Sequence, residues 1–132
     1  LKVVAVDPAR LDQRLFRRPG LIHFRGYAER YLEVEEPGNR SQRFDVIMND
    51  MRMDAREAAR LLIEMRDKLQ SDGFILSTLK LPHATASIDP LRNLREAISL
   101  LSRYFDIVQA RQLFHNRQEV TVIVARPRSQ QF

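Results

Sequence analysis

The 132-residue sequence predicts an α/β domain built on a doubly wound sheet whose last strand runs antiparallel to the rest. Three observations lead there. Strand-like and helix-like segments alternate from Phe44 to Phe105. The segment Phe44–Asn49 (F-D-V-I-M-N) reads as a strand apolar on both faces, as central parallel strands are. The last two strands are joined by a polar turn too short for a crossover, so they run antiparallel.

In chain order, Lys2–Val6 (K-V-V-A-V) is a β-branched run stopped by Asp7-Pro8. Leu11–Phe16 is expected to be a short helix ended by Pro19-Gly20, and Leu21–Phe24 a second short strand. Gly26–Leu32 reads as a helical turn or two, and Glu33–Arg43, with Pro37-Gly38-Asn39, as a loop. After Phe44–Asn49 comes the clearest helix. Asp54 caps it with Glu57 three residues on. Ala58, Leu61, Leu62, Met65 and Leu69 form its apolar stripe, and Ser71-Asp72-Gly73 ends it. Phe74–Pro82 (F-I-L-S-T-L-K-L-P) is the next strand, and His83–Ile88 an unpatterned loop. Asp89-Pro90 opens a second strong helix with a cap and a first-turn proline. Its expected core stripe is Leu91, Leu94, Ile98, Leu101 and Phe105. Strands over Asp106–Phe114 and Glu119–Ala125, joined at His115–Gln118, close the chain.

Composition narrows the classes. With 44% hydrophobic residues the chain can bury a core and is read as one domain. No apolar run approaches the roughly 20 residues of a membrane span, and no signal peptide precedes the first strand. The absence of cysteine excludes disulfides and thiolate metal sites and fits a reducing, cytoplasmic compartment. The balance of 22 basic to 17 acidic residues gives +5, mostly from arginine, which suits a nucleic-acid partner and equally an ordinary basic protein. Arg10, Arg14, Arg17 and Arg18 read first as a solvated face and second as phosphate contacts.

Lys80 draws attention because a lone ammonium among Leu79, Leu81 and Pro82 is costly to bury unpaired. By itself it would be read as snorkelling from a strand end. Ligands in open α/β sheets sit beyond the carboxyl ends of the parallel strands. Asp7, Asp50 and Lys80 fall at such ends, and the antiparallel last strand brings its first residue, Glu119, to the same edge. Plainer readings exist for each. Asp7 can end a strand in a turn, Asp50 can cap a turn with Asn49 sharing that work, and Glu119 can pair with Arg117 or Arg111 at the surface. His83 and His115 read as polar loop residues, and no His/carboxylate spacing points to a metal.

The stretches D-V-I-M-N-D-M, S-T-L-K-L-P and A-R-Q-L-F-H-N-R-Q-E-V-T-V resemble the FtsJ-like RNA ribose 2′-O-methyltransferases, nearest to the bacterial group acting on a cytidine of large-subunit rRNA. The likeness covers nearly the whole chain and is most specific in its last third. It implies a Rossmann-like methyltransferase sheet, S-adenosylmethionine as cofactor, and RNA, in particular ribosomal RNA, as partner. The family carries a Lys-Asp-Lys-Glu tetrad. Position by position, its Asp would be Asp50, its second Lys Lys80 and its Glu Glu119. Asp7 matches the acidic residue that holds the cofactor's ribose hydroxyls, and Asp50 lies on the cofactor side as well. Where the family has an acid near the adenine amino group this chain has Arg25-Gly26-Tyr27-Ala28, leaving Tyr27 or a main-chain group in that role.

The family's glycine-rich cofactor loop and first tetrad lysine have no counterpart in these residues. The chain is therefore expected to be a partial catalytic domain that starts at the family's second strand and is inactive alone. In the family strand order 3-2-1-4-5-7-6, leaving out strand 1 opens a slot of roughly 10 Å, two interstrand spacings. The first forty-odd residues are then expected to move, to pair with the Asp50 strand, or to swap between two copies as an edge-paired homodimer.

Methyl transfer to a ribose hydroxyl needs that hydroxyl activated. As a general base, Lys80 must fall from about 10.4 toward ~7–8, on the order of 4 kcal/mol. Desolvation lowers it while Asp50 and Glu119 raise it, so a charged Lys80 that stabilises the developing alkoxide is the competing role. Two other classes compete with an enzyme: a non-catalytic RNA-binding or ribosome-associated module of the same fold, and a Rossmann-like interaction domain without a ligand.

Overall fold

The computed structural model describes residues 1–34, 42–112 and 119–127. They fall into two compact units, Leu1–Ser41 and Gln42–Phe132.

In the first unit, β1 (Val3–Val6) and β2 (Leu21–Phe24) form a parallel pair in which Val3 lies opposite Leu21 and Val6 opposite Phe24. The expected helix over Leu11–Phe16 is only a 3-10 turn at Gln13–Leu15, started by Asp12, whose carboxylate accepts from Arg14 N at 2.9 Å. Leu15 and Phe16 remain exposed, so no buried apolar stripe rewards a longer helix. Gly20 returns the chain to β2 with φ of 83°, and a Cβ there would collide with the carbonyl oxygen of Leu1. Helix α1 (Ala28–Glu33) buries Ala28 and Tyr31, and the Tyr31 ring meets Phe24 edge-on at 5.3 Å.

The second unit carries a four-stranded mixed sheet in the order β3-β4-β6-β5. Its strands are β3 (Phe44–Asn49), β4 (Leu69–Lys80), β5 (Phe105–Arg111) and β6 (Glu119–Pro127). β3 and β4 are parallel, and β6 runs antiparallel to both β4 and β5. Helices α2 (Ala55–Glu64) and α3 (Pro90–Ser102) are the crossovers. Ala55, Ala58, Ala59 and Leu62 of α2, with Ala97 and Leu101 of α3, bury against Leu69, Ile75, Leu79, Phe105 and Val120. No helix among the described residues is long and apolar enough to cross a membrane.

Within each unit the strand order agrees with the corresponding part of the expected one: β2-β1 with 3-2, and β3-β4-β6-β5 with 4-5-7-6. Some expectations change. β3, read as a central strand, is an edge of its sheet, and its Val46 and Met48 are exposed. β1 and β2 pair with each other in one sheet, and β3 pairs with β4 in the other. β4 begins at Leu69, four residues before Gly73, because a bulge absorbs the extra residues: Phe44 pairs with Leu69, yet Val46 pairs with Phe74. Gly73 is needed there, since a Cβ would lie 2.8 Å from the Asp45 carbonyl oxygen. The buried face of α3 runs through Asn93, Ala97 and Leu101, while Leu91 is exposed. The expected loop at Glu33–Arg43 and the turn at His115–Gln118 lie largely or wholly outside the described residues.

Candidate active site at the end of β4

The carboxyl end of β4 gathers three of the sequence-predicted residues. Lys80 is its last residue, and the antiparallel ladder places Glu119, the first residue of β6, directly opposite. Asp50 follows β3. Lys80 Nζ donates to Asp50 Oδ1 at 2.8 Å and to Glu119 Oε1 at 2.5 Å. These are charge-assisted bonds of short length. Asp50 and Glu119 thus share one ammonium, and Arg117, one of the surface partners considered for Glu119, lies outside the described residues.

Asn49 makes the Asp50 contact possible. It is buried, donates from Nδ2 to Ser77 Oγ at 3.2 Å, and accepts from Met51 N at 2.9 Å. Asn49 and Ser77 are also register partners, so the amide braces β3 to β4 while closing a side-chain turn around Asp50. The turn-forming work falls to Asn49, which leaves the Asp50 carboxylate to Lys80. Sequence reasoning gave Asn49 only a share of that work and passed over Ser77. A buried serine opposite a strand-end asparagine was the available signal.

The Lys80 main chain is held separately. It forms an isolated parallel bridge with Asp54, the cap of α2. Asp54 Oδ1 accepts from Arg56 N at 2.9 Å, and Oδ2 accepts from Asn93 Nδ2 at 2.8 Å. Burial works to raise the Asp54 pKa, but the bonds from Asn93 and Arg56 outweigh it and hold the carboxyl below its ordinary value. The stripe Leu91, Leu94, Ile98, Leu101 and Phe105 expected from the sequence leaves Asn93 off the buried face. Phasing on Ala97 would have placed a polar residue on the buried face.

The electrostatics bear on the two roles open to Lys80. Its bonds to Asp50 and then Glu119 raise its pKa above the ordinary lysine value, against a smaller desolvation that lowers it. The ammonium is a quarter exposed and doubly hydrogen-bonded, so it is charged at neutral pH. A base needs the opposite shift.

Asp7 and Tyr27 belong to the first unit. Asp7 is exposed at the end of β1, and its Oδ1 accepts from Ala9 N at 2.7 Å, the turn expected of Asp7-Pro8. Its main-chain oxygen accepts from Gly26 N at 3.2 Å, joining the loops that follow β1 and β2. Tyr27 is exposed at the start of α1 and makes no side-chain cap bond. Arg10, Arg14, Arg17 and Arg18 are all exposed, and Arg14 is paired with Asp12 at 2.9 Å.

No protein-family model and no curated protein matches the chain. Solved structures do. The chain is similar to the Methanococcus jannaschii fibrillarin, a pre-rRNA processing protein, with a TM-score of 0.72 at 20% identity, covering 96% of this chain and 56% of that one. It is also similar to Aeropyrum pernix fibrillarin in complex with natively bound S-adenosyl-L-methionine, with a TM-score of 0.68 at 16% identity over 94% of this chain and 55% of that one. A third is the N-methyltransferase NodS from Bradyrhizobium japonicum WM9 in complex with S-adenosyl-L-homocysteine, with a TM-score of 0.63 at 12% identity over 96% and 67%. The chain thus spans just over half the length of the two fibrillarins. The fold is the Rossmann-like α/β fold of these methyltransferase-related structures.

Proposed function

We propose that this chain is part of an S-adenosylmethionine-dependent RNA ribose 2′-O-methyltransferase of FtsJ-like type acting on ribosomal RNA, with Asp50, Lys80 and Glu119 at the acceptor hydroxyl. One observation carries the reading: a lysine ammonium held between two carboxylates at the carboxyl end of a parallel strand. A non-catalytic RNA-binding surface would use such a lysine for phosphates and would leave it unpaired.

The residues present suit the cofactor chemically. Asp7 and Tyr27 are exposed polar groups at the ends of their elements, and a carboxylate is the acceptor that a ribose diol requires. The Asp50 carboxylate, also assigned to the cofactor side, is compatible with a nearby cation. When bound, S-adenosylmethionine supplies an electrophilic methyl group on a sulfonium centre. Lys80 would donate a hydrogen bond to the acceptor oxygen and stabilise the negative charge that develops there as the hydroxyl proton leaves. Asp50 and Glu119 hold Nζ in place and pass the hydroxyl proton to water. That assignment makes Lys80 an electrostatic catalyst instead of a base.

The test is methyl transfer by the complete protein from labelled cofactor to ribosomal RNA, with the product mapped by resistance to alkaline hydrolysis, which requires a free 2′-hydroxyl. Lys80→Met is expected to lower kcat about 10²–10³-fold, the loss typical of one oxyanion donor. Methylation of a base, or full activity in Lys80→Met, would overturn the proposal. The 132 residues alone, which contain no glycine-rich cofactor turn, are expected to be inactive and to bind the cofactor weakly or not at all. Low-micromolar binding by calorimetry would refute that.

A further inference from the structure

We infer that Asn93 is a positioning residue for Lys80, acting through Asp54. The inference rests on the reading of Lys80 proposed above.

Asn93 lies in the first turns of α3, remote in sequence from β4, and is 7% exposed. The positions below it on the same face are Ala97 and Leu101, both fully buried, so packing alone calls for an apolar side chain. The amide is also poorly served as a structural group. Its Nδ2 donates to Asp54 Oδ2 at 2.8 Å, but its Oδ1 is buried without a partner among the described residues. Leaving such an oxygen unsatisfied costs stability that an aliphatic residue would not lose. What the amide achieves is its grip on Asp54.

Asp54 is the residue through which that grip reaches the site. Its main chain bridges to the main chain of Lys80, and its Oδ1 takes Arg56 N at 2.9 Å and Arg56 Nε at 3.3 Å. Arg56 also donates to Glu96 Oε2 at 3.1 Å, and Arg92 holds the other oxygen of Glu96 at 3.1 Å. The first turns of α2 and α3 are therefore tied together around Asp54, and the last residue of β4 is laid against it. Lys80 reaches two carboxylates on different elements only if its main chain is fixed, since productive sites tolerate about 0.5 Å of error. Freed from Asn93, Asp54 loses one of the bonds that set its turn.

The test compares Asn93→Leu and Asn93→Ala with Leu101→Ala, a cavity on the same helix face that leaves Asp54 untouched. In the complete protein, both Asn93 variants are expected to lower kcat about 10–100-fold with KM for RNA unchanged, the scale of loss from small misplacements. In NMR titrations the Lys80 resonance should move back toward the ordinary lysine range. Asn93→Leu should keep or gain thermal stability while it loses activity. Leu101→Ala should lose stability while kcat and the Lys80 titration hold. Wild-type kcat and Lys80 titration in both Asn93 variants would overturn the inference. A Lys80→Met protein with full activity would instead defeat the reading of Lys80, and the titration would still report whether Asn93 positions that side chain.

Discussion

Lys80 shows how a pair of carboxylates decides between two chemistries. Its pKa is raised by the bonds it donates to Asp50 and Glu119, so the ammonium contributes its full stabilisation below the unfolded lysine value of about 10.5. That contribution is lost only as pH rises through the still higher folded value. Asp50 is largely exposed, so solvent screens much of its share. We expect an NMR titration of the lysine side chains to place Lys80 above the others, and Glu119→Gln to bring it down. A Lys80 that titrates near neutrality would restore the base assignment. Asn49 offers the second residue-scale prediction. Asn49→Ala removes the brace to Ser77, strands the Ser77 hydroxyl in a fully buried position, and takes the acceptor from Met51 N. Urea unfolding should show a loss of about 1–3 kcal/mol. The Lys80, Asp50 and Glu119 constellation was legible in the sequence because strand ends follow from periodicity and turns. The partners beneath it were not, because Asn49, Ser77 and Asn93 signal themselves only once faces and register are known.

At the scale of elements, the sequence located nearly every strand and helix but misjudged how they end and rotate. The end of α2 is the clearest case. Ser71-Asp72-Gly73 looks like a helix stop, yet the helix gives way to a 3-10 turn at Met65–Lys68 and the strand starts at Leu69. Leu69 continues the helical apolar period and is fully buried as a strand residue, so period alone cannot assign it. The bulge between β3 and β4 resolves the conflict and depends on Gly73 lying against Asp45. In Gly73→Ala the new methyl would meet the Asp45 carbonyl oxygen and Leu69 Cδ1, both at 2.8 Å. The carbonyl is main chain and cannot swing aside. We expect a destabilisation of about 1–3 kcal/mol in chemical denaturation, as for other overpacked sites. An unchanged midpoint would mean that the bulge relocates. The rotation of α3 has the same origin: Leu91, Ile98 and Ala97 satisfy two stripes, and only the sheet beneath chooses between them.

For the whole molecule, alternating segments and the short terminal connection make the α/β class and the antiparallel last pair readable, whereas the strand order is what the family resemblance implies. The separation into two units was not readable, since both belong to one expected sheet. Their interiors differ greatly. Among its described residues the first unit buries Ala28 and Tyr31, with an aromatic contact between Phe24 and Tyr31, on a two-stranded sheet. The second buries a continuous cluster from Ala55 to Val120, including Leu62, Ile75, Leu101 and Phe105. Local opening free energy follows buried apolar contact, and a two-stranded sheet is marginal without more to pack against. Amide hydrogens of β1 and β2 should therefore exchange much faster than those of β4, whose central residues Ile75, Ser77 and Leu79 are fully buried and whose two neighbours are β3 and β6. Hydrogen exchange read by mass spectrometry on this chain would measure the difference directly. Equal protection in the two units would show that Leu1–Ser41 draws stability from contacts beyond its own interior, and the edge-paired or strand-swapped homodimer expected from the sequence would then be the first candidate, separable by the concentration dependence of that protection.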